Sequence, residues 1–167
     1  MYKDHLFFNL ERELLLLKKL APMIEEKDLE FRPADKTRNT LELMRYLSGL
    51  GAVMLRWFVI NDLNKEEWEK IAAYRSTLTI ENFPARIDEQ IEAIRGYMDI
   101  ISEEDLLNKE IEMPNKEKLP LGAAIINGPI KWLATYRMQL FNYLKVNGRP
   151  DLNTGDAWRL HAQAPSA

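Results

Sequence analysis

Leucines recur along the first twenty residues at the spacing of one helix face: Leu6, Leu10, Leu14, Leu17 and Leu20 stand three or four positions apart. An α-helix turns once every 3.6 residues, so this set forms one apolar stripe that another element must cover. Three further segments show the same period. Leu43, Tyr46, Leu47, Leu50, Val53, Met54 and Trp57 make a wide apolar face over residues 40–60. Phe83, Ile87, Ile91, Ile94, Met98 and Ile101 make another, with Arg86, Glu89, Glu92 and Asp99 on the remaining faces. A last helix is predicted over residues 121–146. Four long amphipathic helices with little strand between them constrain the chain to an all-α helical bundle.

The boundaries are readable from capping chemistry. The first helix is predicted over residues 3–23, with Pro22 near its end. Asn39-Thr-Leu-Glu42 reads as a capping box opening the second helix, because the Asn side chain can accept from an unsatisfied N–H while the Glu reaches back. Asn64 and Glu67 repeat the pattern before a short extra helix over residues 65–74. Pro84 suits a first turn, where its missing N–H is not needed. Residues 107–113 alternate weakly and are expected to be extended, ending at Pro114-Asn115. Asn147-Gly148-Arg149-Pro150 stops the fourth long helix. Pro129 lies inside that helix beside Gly128, so a kink is predicted at residues 125–129. Residues 1–158 are read as one bundle domain and residues 159–167 as a disordered tail.

Composition narrows the function classes. At 167 residues the chain fits one domain and needs no staple. Net charge is −3 and no basic stripe stands out, so nucleic acid is not an expected partner. There is no cysteine, which removes disulfides, thiolate nucleophiles and Cys-ligated zinc together. The apolar run at residues 14–17 is too short for a signal core, and the run at 47–55 is far short of the roughly 20 residues of a membrane span. A cytoplasmic protein without membrane contact is expected.

Two helices carry a family resemblance. Arg38-Asn-Thr-Leu-Glu-Leu-Met-Arg-Tyr-Leu47 resembles the DinB-family segment that begins with a helix cap and ends in His-Leu. Trp132-Leu-Ala-Thr-Tyr-Arg-Met-Gln-Leu-Phe-Asn-Tyr-Leu-Lys145 resembles that family's His-x-x-x-His-Arg-Gly-Gln signature. Phe31-Arg-Pro33 and Leu152-Asn-Thr-Gly-Asp-Ala-Trp158 fit the same pattern, and helix order agrees over nearly the whole chain. The resemblance implies a DinB-like, up-down-down-up four-helix bundle, here with a short extra helix and a kinked fourth long helix. It also implies a homodimer. Many members hold a divalent metal through three histidines, and some are thiol S-transferases or thiol-dependent isomerases.

Carried over position by position, the family's metal histidines fall on Tyr46, Trp132 and Tyr136. Indole has no lone pair to give a metal, and a phenol ionises only near pH 10. The resemblance therefore transfers no metal site, and no cofactor is expected. Arg137 and Gln139 match the Arg and Gln of the signature, with Met138 in place of its glycine. Tyr46, Trp132 and Tyr136 either line a pocket for a small-molecule ligand or fill the bundle core. Arg137 and Gln139 either contribute to that pocket by binding a carboxylate or amide, or serve structure, with Arg137 reaching the surface or an acidic neighbour. The two histidines, His5 and His161, lie near the ends of the chain, away from the expected centre. Two function classes stay open: a metal-free small-molecule-binding or structural dimeric protein, and a metal-dependent or thiol-dependent transferase or hydrolase using non-standard residues in the same inter-helix pocket.

Overall fold

The apolar stripe of the first twenty residues becomes helix α1 (Tyr2–Leu20), with Leu6, Leu10, Leu14, Leu17 and Leu20 all buried. The structure is a computed structural model that describes residues 2–160. Helix α1 ends three residues earlier than its period suggests. Ala21–Met23 tightens into a 3₁₀ turn because Pro22 has no N–H to continue the α ladder. The stripe packs against α5 (Phe83–Asp99) and α8 (Lys131–Val146). From α5 come Phe83, Ile87, Ile91, Ile94 and Met98, and from α8 come Leu133, Leu140, Phe141 and Leu144, all buried. Each such side chain contributes roughly 1.5–3 kcal/mol by leaving water. The all-helical expectation holds, relieved among the described residues by one two-stranded hairpin.

The second helix departs from its predicted continuity. It is two helices, α2 (Thr40–Leu47) and α3 (Leu50–Val59), interrupted at Ser48-Gly49. The expected capping box is present at its start: the Asn39 side chain accepts from the Glu42 amide, and Glu42 accepts from the Asn39 amide, both at 2.8 Å. The interruption is held by a residue distant in sequence. Gln90 of α5 is buried, accepts from the Gly51 amide at 2.6 Å, and donates to the Leu47 carbonyl at 3.0 Å. One side-chain amide thus serves the interrupted end of each half-helix. Gly51 permits this approach: a Cβ there would lie 3.0–3.1 Å from Ile94 Cδ1, Gln90 Oε1 and Leu133 Cδ1. Gly51→Ala is expected to cost about 1–2 kcal/mol, with overpacking outweighing the gain in helix propensity. A thermal melt with no loss of stability would contradict that reading.

Helix α4 (Lys65–Ser76) follows, opened by the Asn64 side chain accepting from the Glu67 amide. It has no buried residue. The stretch expected to be extended over 107–113 is divided. Ser102 and Asp105 form a capping box for α6 (Glu103–Asn108), and only then does the chain extend, as β1 (Glu110–Glu112). This strand pairs antiparallel with β2 (Lys118–Pro120), setting Ile111 opposite Leu119.

The predicted kink is present as a π segment. Helix α7 (Leu121–Ile125) runs into Ile126–Ile130, where Gly128 leaves helical geometry at φ −101°, ψ −105° ahead of Pro129. The Phe58 ring lies against this point, 3.2 Å from where a Gly128 Cβ would stand. Helix α8 then starts afresh and puts Trp132 in its first turn. The chain closes with α9 (Thr154–Trp158), tied to α1 where Arg12 donates to the Trp158 carbonyl and Lys19 to the Arg159 carbonyl. Of the expected tail, residues 161–167, with His161, lie outside the described residues. Among the described residues no helix is long and apolar enough to cross a membrane.

Candidate functional site

The packing of α2 against α8 brings Tyr46 to Tyr136. Their ring centroids are 5.0 Å apart at 79°, an edge-to-face contact that satisfies the ring quadrupoles. Trp132 stands one helical turn before Tyr136 on the same face of α8. These three rings line a cavity of about 350 Å³. Helix α3 adds Trp57 and Met54, α4 adds Trp68 and Arg75, and the hairpin turn adds Pro114. Five aromatic side chains thus border one cavity, and no carboxylate does. Part of its wall is α4, the helix without a buried residue.

Positive charge gathers at the same place. The Arg38 guanidinium lies 4.2 Å from the centroid of the Tyr46 ring and 5.6 Å from that of Tyr136. The Arg75 guanidinium lies 5.6 Å from the Tyr46 ring. Burial pulls the Arg75 pKa down, and repulsion by Arg38 adds to this against an opposing effect of Tyr46. Arg75 Nε is buried without a hydrogen-bond partner.

Burial raises the Tyr46 phenol pKa, Tyr136 adds to the rise, and both arginines oppose it. The folded state therefore holds this proton more tightly than the unfolded chain. The associated stability is present up to about pH 10, the ordinary phenol value, and is lost as pH rises through the higher folded value. In denaturation curves recorded from pH 9 upward, Tyr46→Phe should lose stability less steeply than the wild type. Parallel curves would contradict the assignment.

Arg137 and Gln139 are not part of this cluster, which corrects their placement in the candidate pocket. The reason is angular. Residues advance about 100° around a helix, so Arg137 turns away from the face of Trp132 and Tyr136. It is fully buried, with Nε 2.8 Å from Glu13 of α1, Nη1 2.5 Å from the Ala157 carbonyl, and its guanidinium 4.9 Å from the Trp158 ring centroid. It does not reach the surface. Of the sequence-level alternatives, pairing with an acidic residue is the one realised. Gln139 borders a different cavity with Phe31, Met138 and Tyr143. Its side-chain amide donates to the Tyr143 hydroxyl, which donates to the Arg38 carbonyl at 3.0 Å. Gln139 therefore bears on the cluster indirectly, through the backbone of Arg38.

Arg75, Trp68 and Gln90 were not anticipated from the sequence as parts of this region. In the sequence Arg38 stands out only as the start of a motif. A local signal existed for Arg38, which stands just before the capping box of the helix that carries Tyr46. None existed for Arg75 or Trp68, because nothing in their sequence neighbourhood states where α4 docks. His5 is exposed on α1. Among the described residues, no group of three or more His, Cys, Asp or Glu side chains could hold a metal ion.

No protein-family model matches the chain, and no curated protein matches its sequence. Among solved structures it is similar to a crystal structure of a candidate member of the DinB family from Exiguobacterium sibiricum 255-15. The TM-score is 0.71 at 17% sequence identity, over 93% of this chain and 97% of that one. The likeness is one of fold: the chain has a DinB-like helical fold.

Proposed function

We propose that this chain binds a small organic molecule in the aromatic cavity between α2, α3, α4 and α8, without a metal. The observation that carries the reading is the cavity of about 350 Å³ bordered by Tyr46, Trp57, Trp68, Trp132 and Tyr136. A space of this size, lined by aromatic faces with a few polar groups at one side, matches the usual make-up of small-ligand sites. The sequence resemblance puts a metal at Tyr46, Trp132 and Tyr136 in other DinB-like proteins. Here the same positions supply ring faces and hydroxyl tips, which stack on and orient a flat ligand but are poor donors to zinc or nickel.

Three tryptophans border the cavity, so binding is readable by their fluorescence. The neutral bicyclic amide 2-naphthamide should quench it saturably, with a dissociation constant on the order of a millimolar or tighter for a ligand of this size. Val53→Trp, which fills the cavity from α3, should abolish the response while leaving the fold intact by circular dichroism. Absence of saturable quenching in the wild type by this amide and by its parent acid alike, or equal quenching in the filled variant, would overturn the reading.

A further inference from the structure

Most arginines among the described residues meet a protein oxygen, Arg12 and Arg45 through backbone carbonyls and others through a carboxylate. Arg32, Arg56, Arg95, Arg137 and Arg149 each contact a carboxylate within 4 Å. Arg38 and Arg75, which flank Tyr46, meet none among the described residues. They also repel each other, and Arg75 Nε is buried without an acceptor. The hydroxyls of Tyr46 and Tyr136 likewise have no hydrogen-bond partner among the described residues. Two guanidinium groups and two phenols therefore cluster around the Tyr46 ring, and no protein oxygen among the described residues answers their donors. Of these donors Arg75 Nε is the buried one, and a buried donor without an acceptor is costly, which makes its position hard to explain as packing alone.

The side of Arg75 on which an anion belongs follows from its two neighbouring cavities. Arg75 also borders a second cavity of about 300 Å³, and that one carries Glu67 and Glu89. The carboxylates there are already engaged, Glu67 with Arg56 and Lys70, and Glu89 with Tyr74. On that side an incoming anion would have to compete with those two carboxylates for the cations Arg56, Lys70 and Arg86. On the aromatic side the lining is rings, aliphatic groups and Arg75, and Arg38, exposed and outside that lining, lies over the Tyr46 ring.

We propose that the aromatic cavity is selective for a planar aromatic carboxylate, whose ring lies among the tryptophans and whose carboxylate is bound by Arg75 and Arg38 beside the tyrosine hydroxyls. The inference rests on the small-molecule reading above and adds the ligand's charge. A carboxylate fits better than a larger polyanion because the lining is apolar everywhere except at this end. Guanidinium forks pair with the two oxygens of one planar carboxylate, and such charge-assisted bonds are about twice as strong as neutral ones.

The test compares 2-naphthoate with 2-naphthamide, which share a ring system and nearly a shape and differ in charge. Tryptophan fluorescence titrations at neutral pH and low salt are expected to show the acid binding at least tenfold more tightly than the amide. Arg75→Gln and Arg38→Gln should each shrink that ratio, and the double variant should bring it close to one. Arg75→Met provides an independent readout. It removes an unpaired, partly buried cation and should leave Tm unchanged or higher, whereas a structural role predicts a loss. Equal binding of acid and amide by the wild type would overturn the anion assignment and leave the cavity reading standing. A ratio that survives in the double variant would overturn it equally. Binding of neither probe would remove the small-molecule reading itself. The wild-type ratio requires no variant, so poor folding of a mutant does not obscure the result.

Discussion

Arg137→Ala is expected to lower the stability of the fold by about 3–5 kcal/mol, the usual cost of removing one member of a buried ion pair. At this chain length that corresponds to a fall in Tm of roughly 6–20 °C. The cause is specific to the site. The guanidinium is fully buried, the Glu13 side chain is 14% exposed, and the Ala157 carbonyl accepts from Nη1. Alanine would leave a carboxylate and a carbonyl without their donor and open a space under the Trp158 ring. It would also cut the link that ties α9 to the α1–α8 pair. Replacing both Arg137 and Glu13 with leucine should recover most of the loss, because no charge is then stranded. Urea denaturation of the single and double variants measures this. A single variant within about 1 kcal/mol of the wild type would contradict the structural role and reopen a functional one.

Gln90→Leu should be the next most damaging change. Leucine keeps the volume but makes no hydrogen bonds, so the Gly51 amide and the Leu47 carbonyl lose their partner inside the core. Each group left unsatisfied costs about 1–3 kcal/mol, for a total of roughly 2–5 kcal/mol. The consequence reaches the candidate site, because the joint that Gln90 holds lies between Tyr46 at the end of α2 and the α3 residues across the cavity. Amide hydrogen exchange at Gly51 and Ala52 should accelerate in the variant before any change in α1. Unchanged exchange there, with unchanged stability, would show that the helices hold the break without Gln90.

Both predictions concern side chains whose importance is only partly visible in the sequence. Arg137 stood out because it continues a motif, yet its position beside two aromatic residues suggested a pocket and its real partner is 124 positions away on α1. Gln90 gave no signal: it sits on the helix that carries an unbroken apolar stripe. The break it spans was hidden for a related reason. The apolar period passes through Ser48-Gly49 without a change of phase, so the pattern reads as one helix of some twenty residues.

The helical period, the capping boxes at Asn39 and Ser102, and the proline at 129 are local properties of the chain. They are decided by backbone sterics and by hydrogen bonds between residues a few positions apart. For that reason the sequence by itself determined a nearly all-helical fold, most helix starts, the kink, and the absence of imidazole and thiolate at Tyr46, Trp132 and Tyr136. Tertiary structure alone decided which of these residues meet. It joined Tyr46 to Tyr136, sent Arg137 into the core and Gln139 to a neighbouring cavity, and carried Arg75 from a surface helix to the Tyr46 ring. Helical spacing states which residues share a face, but not which face of another helix lies opposite. That choice is made by packing between elements far apart in the chain.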